Sequence, residues 1–172
     1  MNIIVLGGNS FIAKNYIIEN FRKKHPDQIV SVDKVSIKQN FTKKINNKKF
    51  FFYKLDLSIK SLLHIFKKHK PDLIINFAAE THVDKSITNR NKFIKSNILG
   101  TFNLLEHSLH YWQSLSTNSQ KKFRYIQVST DEVFGSLNLK EKPFTENSKY
   151  KPNNPYSASK ASSDLIVRSY NM

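Results

Sequence analysis

The residues best suited to chemistry stand near the end of the chain. Tyr156-Ser157-Ala158-Ser159-Lys160 puts a phenol and an ammonium four positions apart, hence on one face of a helix. A nearby ammonium favours phenolate and lowers a tyrosine pKa, which makes Tyr156 a candidate base for an alcohol proton. The same spacing also arises from ordinary packing and solvation. Thr130-Asp131-Glu132 adds a hydroxyl and two adjacent carboxylates. Neighbouring carboxylates tend to split their pKa values, so one serves as an acid and the other as a base. A solvated turn or an acid-rich helix start is the plainer account. Simple dehydrogenation has no use for such a pair, whereas a dehydration does.

At the other end, Gly7-Gly8-Asn9-Ser10 follows an apolar run and precedes Phe11, Ile12, Ile17, Ile18 and Phe21 at helical spacing. A tight turn opening a helix aims backbone N–H groups and the positive helix end at a pyrophosphate. In the three-glycine spacing this chain has Gly7, Ser10 and Ala13. Alanine is tolerated third, but serine second adds a Cβ where phosphate approaches, so weakened cofactor binding is expected. Asp33 lies where, about 20 residues past the turn, a carboxylate binds the ribose hydroxyls of NAD and repels the 2′-phosphate of NADP. An oxidised nicotinamide near Tyr156 would further favour phenolate.

The elements that must position these residues alternate between strand and helix patterns. Strands are expected over residues 3–6, 28–32 ending at Asp33, 50–55 ending at Asp56, 73–77 and 123–128. One helix opens at Ser58, with Leu62, Leu63, Ile65 and Phe66, and closes before Pro71. A long helix over 93–115 carries Ile98, Leu99, Phe102, Leu105, Leu109 and Trp112 as its buried stripe. The last helix covers 156–170. Five buried parallel strands with helical crossovers imply an α/β, doubly wound parallel sheet. Ligands in such sheets sit beyond the carboxyl ends of the strands, where Gly7, Asp33, Asp56, Glu80 and Thr130 fall.

The formal charge is +15, but 24 of the 28 basic residues are Lys and 4 are Arg. Guanine reading and phosphate clamping favour the Arg fork, and the lysines are scattered in pairs. A solvated lysine surface is therefore expected, and nucleic acid is an unlikely partner. Cys is absent, which excludes a disulfide framework and cysteine-ligated metals, and the six His show no ligand spacing. No basic leader precedes the first apolar run, and no run approaches the ~18 apolar residues of a membrane span. A cytoplasmic protein is expected.

The runs GGNSFIAKN, NFAAETHVDKSI, KSNILGTFNLLE, YIQVSTDEVFGS and PYSASKASSDLIVRSY resemble the extended short-chain dehydrogenase/reductases, and among them the dTDP-glucose 4,6-dehydratase family. The resemblance covers essentially the whole chain and implies a Rossmann-like sheet of order 3-2-1-4-5 over 1–172. It also implies that the last strands and the substrate domain lie beyond this sequence, in a C-terminal half that could be supplied separately. The fifth strand would then expose an apolar edge at Tyr125, Ile126 and Val128. The implied reaction is oxidation, water elimination and reduction on one nucleotide-diphosphate sugar, dTDP-glucose or UDP-glucose. Tyr156 would take the C4 hydroxyl proton, Lys160 would hold the nicotinamide ribose, and Thr130 would bond the C4 oxygen. Glu132 would remove the C5 proton and Asp131 would protonate the departing C6 hydroxyl. NAD contacts would come from Gly7, Ser10, Phe11, Ile12, Asp33, Asp56, Leu57, Ala78, Ala79, Glu80, Ser96, Tyr156 and Lys160. Thr81 would join Thr130 on the substrate. A homodimer through the two long helices is implied as well. Against this enzyme reading stand a catalytically weak NAD-binding or assembly module and a polyanion binder using the lysines.

Overall fold

A computed structural model of the protein describes residues 1–58 and 61–170. Contacts divide the chain into two compact units, Met1–Ala78 with Asn103–Val128, and Ala79–Phe102 with Ser129–Met172.

The first unit is built on β1 (Asn2–Leu6), β2 (Gln28–Asp33), β3 (Phe50–Lys54), β4 (Leu73–Asn76) and β5 (Arg124–Gln127). All neighbours pair in parallel in the order β3-β2-β1-β4-β5, the expected Rossmann-like order. Strand alternation divides the side chains between two cores. Ile3, Val5, Ile29 and Ile75 meet Ala13 and Ile17 of α1 (Phe11–Arg22) and Phe41 and Ile45 of α2 (Gln39–Ile45). On the opposite face Ile4, Leu6, Val30, Val32 and Ile74 meet Ile65 and Phe66 of α3 (Leu63–His69) and Leu104 and Tyr111 of a later helix. Helices thus cover both faces, as buried parallel strands require. Phe66 is fully buried and meets the Tyr111 ring edge-on at 5.6 Å.

Three expectations change here. Helix α3 begins at Leu63, not Ser58, because the Ser58 N–H and hydroxyl both donate to Asp56 Oδ1, at 2.9 and 2.7 Å, and close a turn. Ile59 and Lys60 lie outside the described residues. Phe11 and Ile12 do not belong to the buried stripe of α1; they are 83% and 59% exposed, and Ala13, Ile17 and Asn20 are buried instead. Of the three apolar residues expected at the edge of β5, Ile126 is exposed, while Tyr125 and Val128 pack against the two cores.

The second unit contains α4 (Val83–Thr88), α5 (Arg90–Phe93), a π-helix (Ile94–Leu99), the start of α6 (Gly100–Gln113), a 3-10 turn (Asp131–Phe134) and α8 (Pro155–Ser169). In the first unit α7 (Thr117–Lys122) follows α6. The long helix expected over 93–115 is therefore interrupted. A π turn adds a residue and rotates the face downstream, so a stripe read at uniform period falls out of phase. Leu99 and Phe102 stand exposed, and Thr101, Leu104, Leu105, Ser108 and Tyr111 are buried. Helix α8 lies against α4, α5 and the π-helix. Its buried residues are Tyr156 and Lys160 together with the small Ser157, Ser159, Ala161 and Ser163.

Candidate active site

At the carboxyl end of β1 the chain turns through Gly7 with φ +71, a conformation costly for residues with a Cβ. A Cβ there would lie 2.6 Å from the Ala78 backbone, and one on Gly8 would collide with the Ser31 hydroxyl. Both glycines therefore hold the turn against the neighbouring strands. Ser10 has a local role that its position in the glycine spacing did not suggest. It is the N-cap of α1, and its hydroxyl accepts from the Ala13 N–H at 3.3 Å. With their side chains in solvent, Phe11 and Ile12 offer the turn their first-turn N–H groups, which a helix leaves unpartnered. Asp33 ends β2, where its Oδ2 accepts from the Asn9 N–H and its Oδ1 from the Val35 N–H, both at 2.9 Å. The carboxylate is thus oriented beside the glycine turn, with lone pairs left for hydroxyl donors. Asp56 is held below the usual carboxylate range, chiefly by the Ser58 hydroxyl. The Leu57 carbonyl accepts from Asn103 Nδ2 at 3.2 Å. In the same unit Ala78 follows β4, and its N–H donates to Asn76 Oδ1 at 3.1 Å.

The second unit carries the proton-transfer candidates. Thr130 caps the 3-10 turn, its hydroxyl oxygen accepting from the Glu132 N–H at 3.3 Å. Asp131 is exposed and Glu132 half-buried. Glu132 Oε2 accepts from Asn154 Nδ2 at 3.1 Å. Tyr156 opens α8, is 8% exposed and meets the Phe93 ring edge-on. The protein's own groups hold its phenol above the ordinary tyrosine value. Burial pushes the phenol up, and the carboxylates of Glu132, Asp131 and Asp164 add to this, while the Thr130 hydroxyl acts the other way. Lys160, one helical turn on, is 4% exposed; burial pushes its ammonium below the ordinary lysine value and Asp164 opposes that. These phenol and ammonium groups therefore sit in a desolvated environment in which nearby charge acts strongly.

Two residues of this unit escaped the sequence reading. Asn97, 1% exposed inside the π-helix, accepts from the Glu80 N–H at 2.8 Å and donates to the Glu80 carbonyl at 3.0 Å. The same amide donates to the Ser159 hydroxyl at 2.8 Å, so it ties the segment after β4 to α8. Asp164 accepts from the hydroxyls of Ser129 and Tyr150. The sequence did carry a signal for it, because Tyr156, Lys160 and Asp164 recur every four residues along one helix face. Glu80 turns its carboxylate to Lys92 at 3.0 Å. Ala79 and Ser96 are half-buried in this unit and Thr81 is exposed. Among the described residues no three His, Asp or Glu cluster to hold a metal, and no helix is long and apolar enough to cross a membrane.

The chain is similar to known proteins in sequence and in fold. The chain is 40% identical to a dTDP-glucose 4,6-dehydratase of Haemophilus influenzae, over 99% of this chain and 51% of the relative. It is 38% identical to dTDP-glucose 4,6-dehydratase 1 of Escherichia coli, over 99% and 50%. Among solved structures, the dTDP-glucose 4,6-dehydratase of Bacillus anthracis in complex with NAD superposes with TM-score 0.79 at 35% identity, covering 99% of this chain and 50% of that one. A UDP-Glc/GlcNAc 4-epimerase of Campylobacter jejuni gives TM-score 0.82 at 26% identity, over 99% and 49%. The chain spans about half the length of the curated relatives it matches. The family model for GDP-mannose 4,6 dehydratase matches residues 4–172, nearly all of the sequence, and the chain belongs to that family.

Proposed function

We propose that this chain carries the cofactor and acid–base groups of a nucleotide-sugar 4,6-dehydratase that converts dTDP-glucose to its 4-keto-6-deoxy product with NAD. The observation that carries the reading is the packing, within one unit, of the turn bearing Thr130, Asp131 and Glu132 against the start of α8, where Asn154 Nδ2 donates to Glu132 Oε2 at 3.1 Å two residues before Tyr156. An acid, a base and an alcohol-directed phenol together suit an elimination coupled to oxidation.

The residues present fit NAD. The turn at Gly7 leaves no room for a Cβ against Ala78, α1 opens behind it with a capped N-terminus, and Asp33 is already oriented at the end of β2. Gly7, Ser10, Phe11, Ile12, Asp33, Asp56, Leu57 and Ala78 would hold the dinucleotide, and the family resemblance adds Ala79, Glu80, Ser96, Tyr156 and Lys160 to its contacts. Bound there, NAD would supply a reversible hydride acceptor. Tyr156 removes the proton of the C4 hydroxyl, for which its raised pKa must fall, and the positive charge of an oxidised nicotinamide acts in that direction. Thr130 donates to the forming C4 oxygen. Glu132 takes the C5 proton, made acidic by the neighbouring ketone, and Asp131 gives its proton to the departing C6 hydroxyl. Thr81 contacts the sugar.

In the relatives the chain matches about half the length, and residues of their other half would bind the nucleotide. Ile94, Leu99 and Phe102, 42–45% exposed, and Leu165 at 55% are apolar surface suited to a homodimer through the helices. Sedimentation of the parent and of Leu165→Glu tests that assembly.

The decisive assay incubates the chain with NAD and dTDP-glucose, or UDP-glucose, with and without the C-terminal half of a relative. Formation of 4-keto-6-deoxysugar that is lost in Tyr156→Phe supports the reading. NAD binding with no sugar conversion under either condition assigns the chain to a non-catalytic NAD-binding module instead.

A further inference from the structure

We infer that Asn154 is a positioning residue that fixes the Glu132 carboxylate to the start of α8, two residues before Tyr156; this rests on the acid–base role proposed for Glu132. One side-chain amide does two jobs. Its Oδ1 accepts from the Ser157 N–H at 2.8 Å, closing a capping box in which the Ser157 hydroxyl accepts from the Asn154 N–H. Its Nδ2 donates to Glu132 Oε2 at 3.1 Å.

The residue type is informative. Serine, aspartate and asparagine cap helices about equally well. Of these, only asparagine offers a carbonyl acceptor to the helix and an N–H₂ donor to a carboxylate. Aspartate would set a second negative charge against Glu132. Capping alone does not distinguish Asn from Asp or Ser, whereas an added hold on Glu132 excludes Asp and favours Asn, which serves the two partners through separate atoms.

The backbone around it is stapled to the same turn. The Lys151 N–H donates to the Val133 carbonyl at 2.9 Å, and Asn153 Nδ2 donates to the Ser136 hydroxyl at 3.0 Å. Gly135, at φ +105, would bring a Cβ within 2.8 Å of the Lys151 carbonyl oxygen. Residues 151–154 thus run as a strap along residues 132–136, ending on the carboxylate. Held through Oε2, Glu132 presents Oε1 for the C5 proton, in a fixed relation to the N-terminus of the helix that carries the phenol. Misplacement of a reacting group by about 1 Å can cost on the order of a hundredfold in rate.

The test uses two variants that keep the cap, Asn154→Ser and Asn154→Asp, in the full chain. Both are expected to melt within about 2 °C of the parent, since capping strength is retained. In turnover with NAD and dTDP-glucose, exchange of the C5 proton with solvent is expected to fall about tenfold or more in Asn154→Ser and further in Asn154→Asp. KM for the sugar nucleotide should stay unchanged. Parental exchange rates in both variants overturn the inference. A second measurement needs no turnover. The side-chain amide resonances of Asn154, followed by ¹H–¹⁵N NMR, are expected to shift and exchange faster in Glu132→Gln; resonances indifferent to that change overturn the inference. A parent chain that converts no sugar counts against the proposed function, while the NMR arm still decides whether Asn154 holds Glu132.

Discussion

Replacing Asn97 by alanine gives the sharpest test of how the second unit is held. The side chain makes three hydrogen bonds of 2.8–3.0 Å while 1% exposed, two to the Glu80 backbone and one to the Ser159 hydroxyl. Ser159 keeps its own bond to the Tyr156 carbonyl at 2.7 Å, so its loss is partial. The Glu80 N–H and carbonyl lose a partner in a part-buried setting. At about 1 kcal/mol per neutral bond, and about 1–3 for a buried group left unpaired, Asn97→Ala should destabilise by about 2–4 kcal/mol. For a chain of this size that is roughly 5–15 °C in thermal midpoint. Circular dichroism measures the midpoint, and hydrogen exchange at the Glu80 amide reports whether the bond to Asn97 Oδ1 is gone. Ser159→Ala, which removes one of the three bonds, should cost about 1 kcal/mol, and the double variant should show coupling of similar size. A loss below about 1 kcal/mol in Asn97→Ala, with Glu80 still protected, would refute the reasoning.

Further outcomes follow from other parts of the molecule. His69 is buried against Phe51, with its Nε2 2.8 Å from the Tyr53 hydroxyl, and burial followed by the Lys68 charge holds its pKa below the ordinary 6.5. The unfolded chain then binds more protons than the folded one below that value, so stability present above about pH 6.5 is lost as pH falls. The thermal midpoint should decline from pH 7.5 to pH 5.5, less steeply in His69→Phe; equal slopes in the two proteins would exclude His69 as a source. Gly7→Ala forces a Cβ into a left-handed turn against the Ala78 backbone, costing about 1–2 kcal/mol for the conformation alone and more for the overlap. Calorimetric titration should find NAD affinity lowered at least tenfold, and parental affinity would show that the turn does not hold the dinucleotide. Ser10→Gly removes a Cβ from the same turn and exchanges a side-chain cap for a glycine, a loss of a few tenths of a kcal/mol. NAD affinity should rise, and an unchanged value would make Ser10 a helix cap alone.

The sheet was legible because parallel strands buried on both faces must be largely apolar. Ile3–Leu6, Ile29–Val32 and Ile74–Ile75 announce themselves without reference to any partner. The short helices were not legible: α2, α4 and α7 are six or seven residues long, too short for a periodic stripe to stand out. The π-helix was invisible for a different reason. Nothing in KSNILGTFNLLE marks the extra residue or the outward place of Leu99 and Phe102.

The sequence by itself determined the strand–helix alternation, the glycine turn, and the spacing that puts Tyr156, Lys160 and Asp164 on one helix face, since each depends only on nearby residues. Tertiary structure alone decided the chemistry those residues meet. Burial and three carboxylates raise the Tyr156 phenol, where spacing to Lys160 pointed to a low pKa. Asn97 and Asn154 became structural joints only because the fold brings Glu80, Ser159 and Glu132 to them across 17, 62 and 22 positions of chain. Desolvation and long-range hydrogen bonds belong to the assembled environment, and no local pattern of residues encodes them.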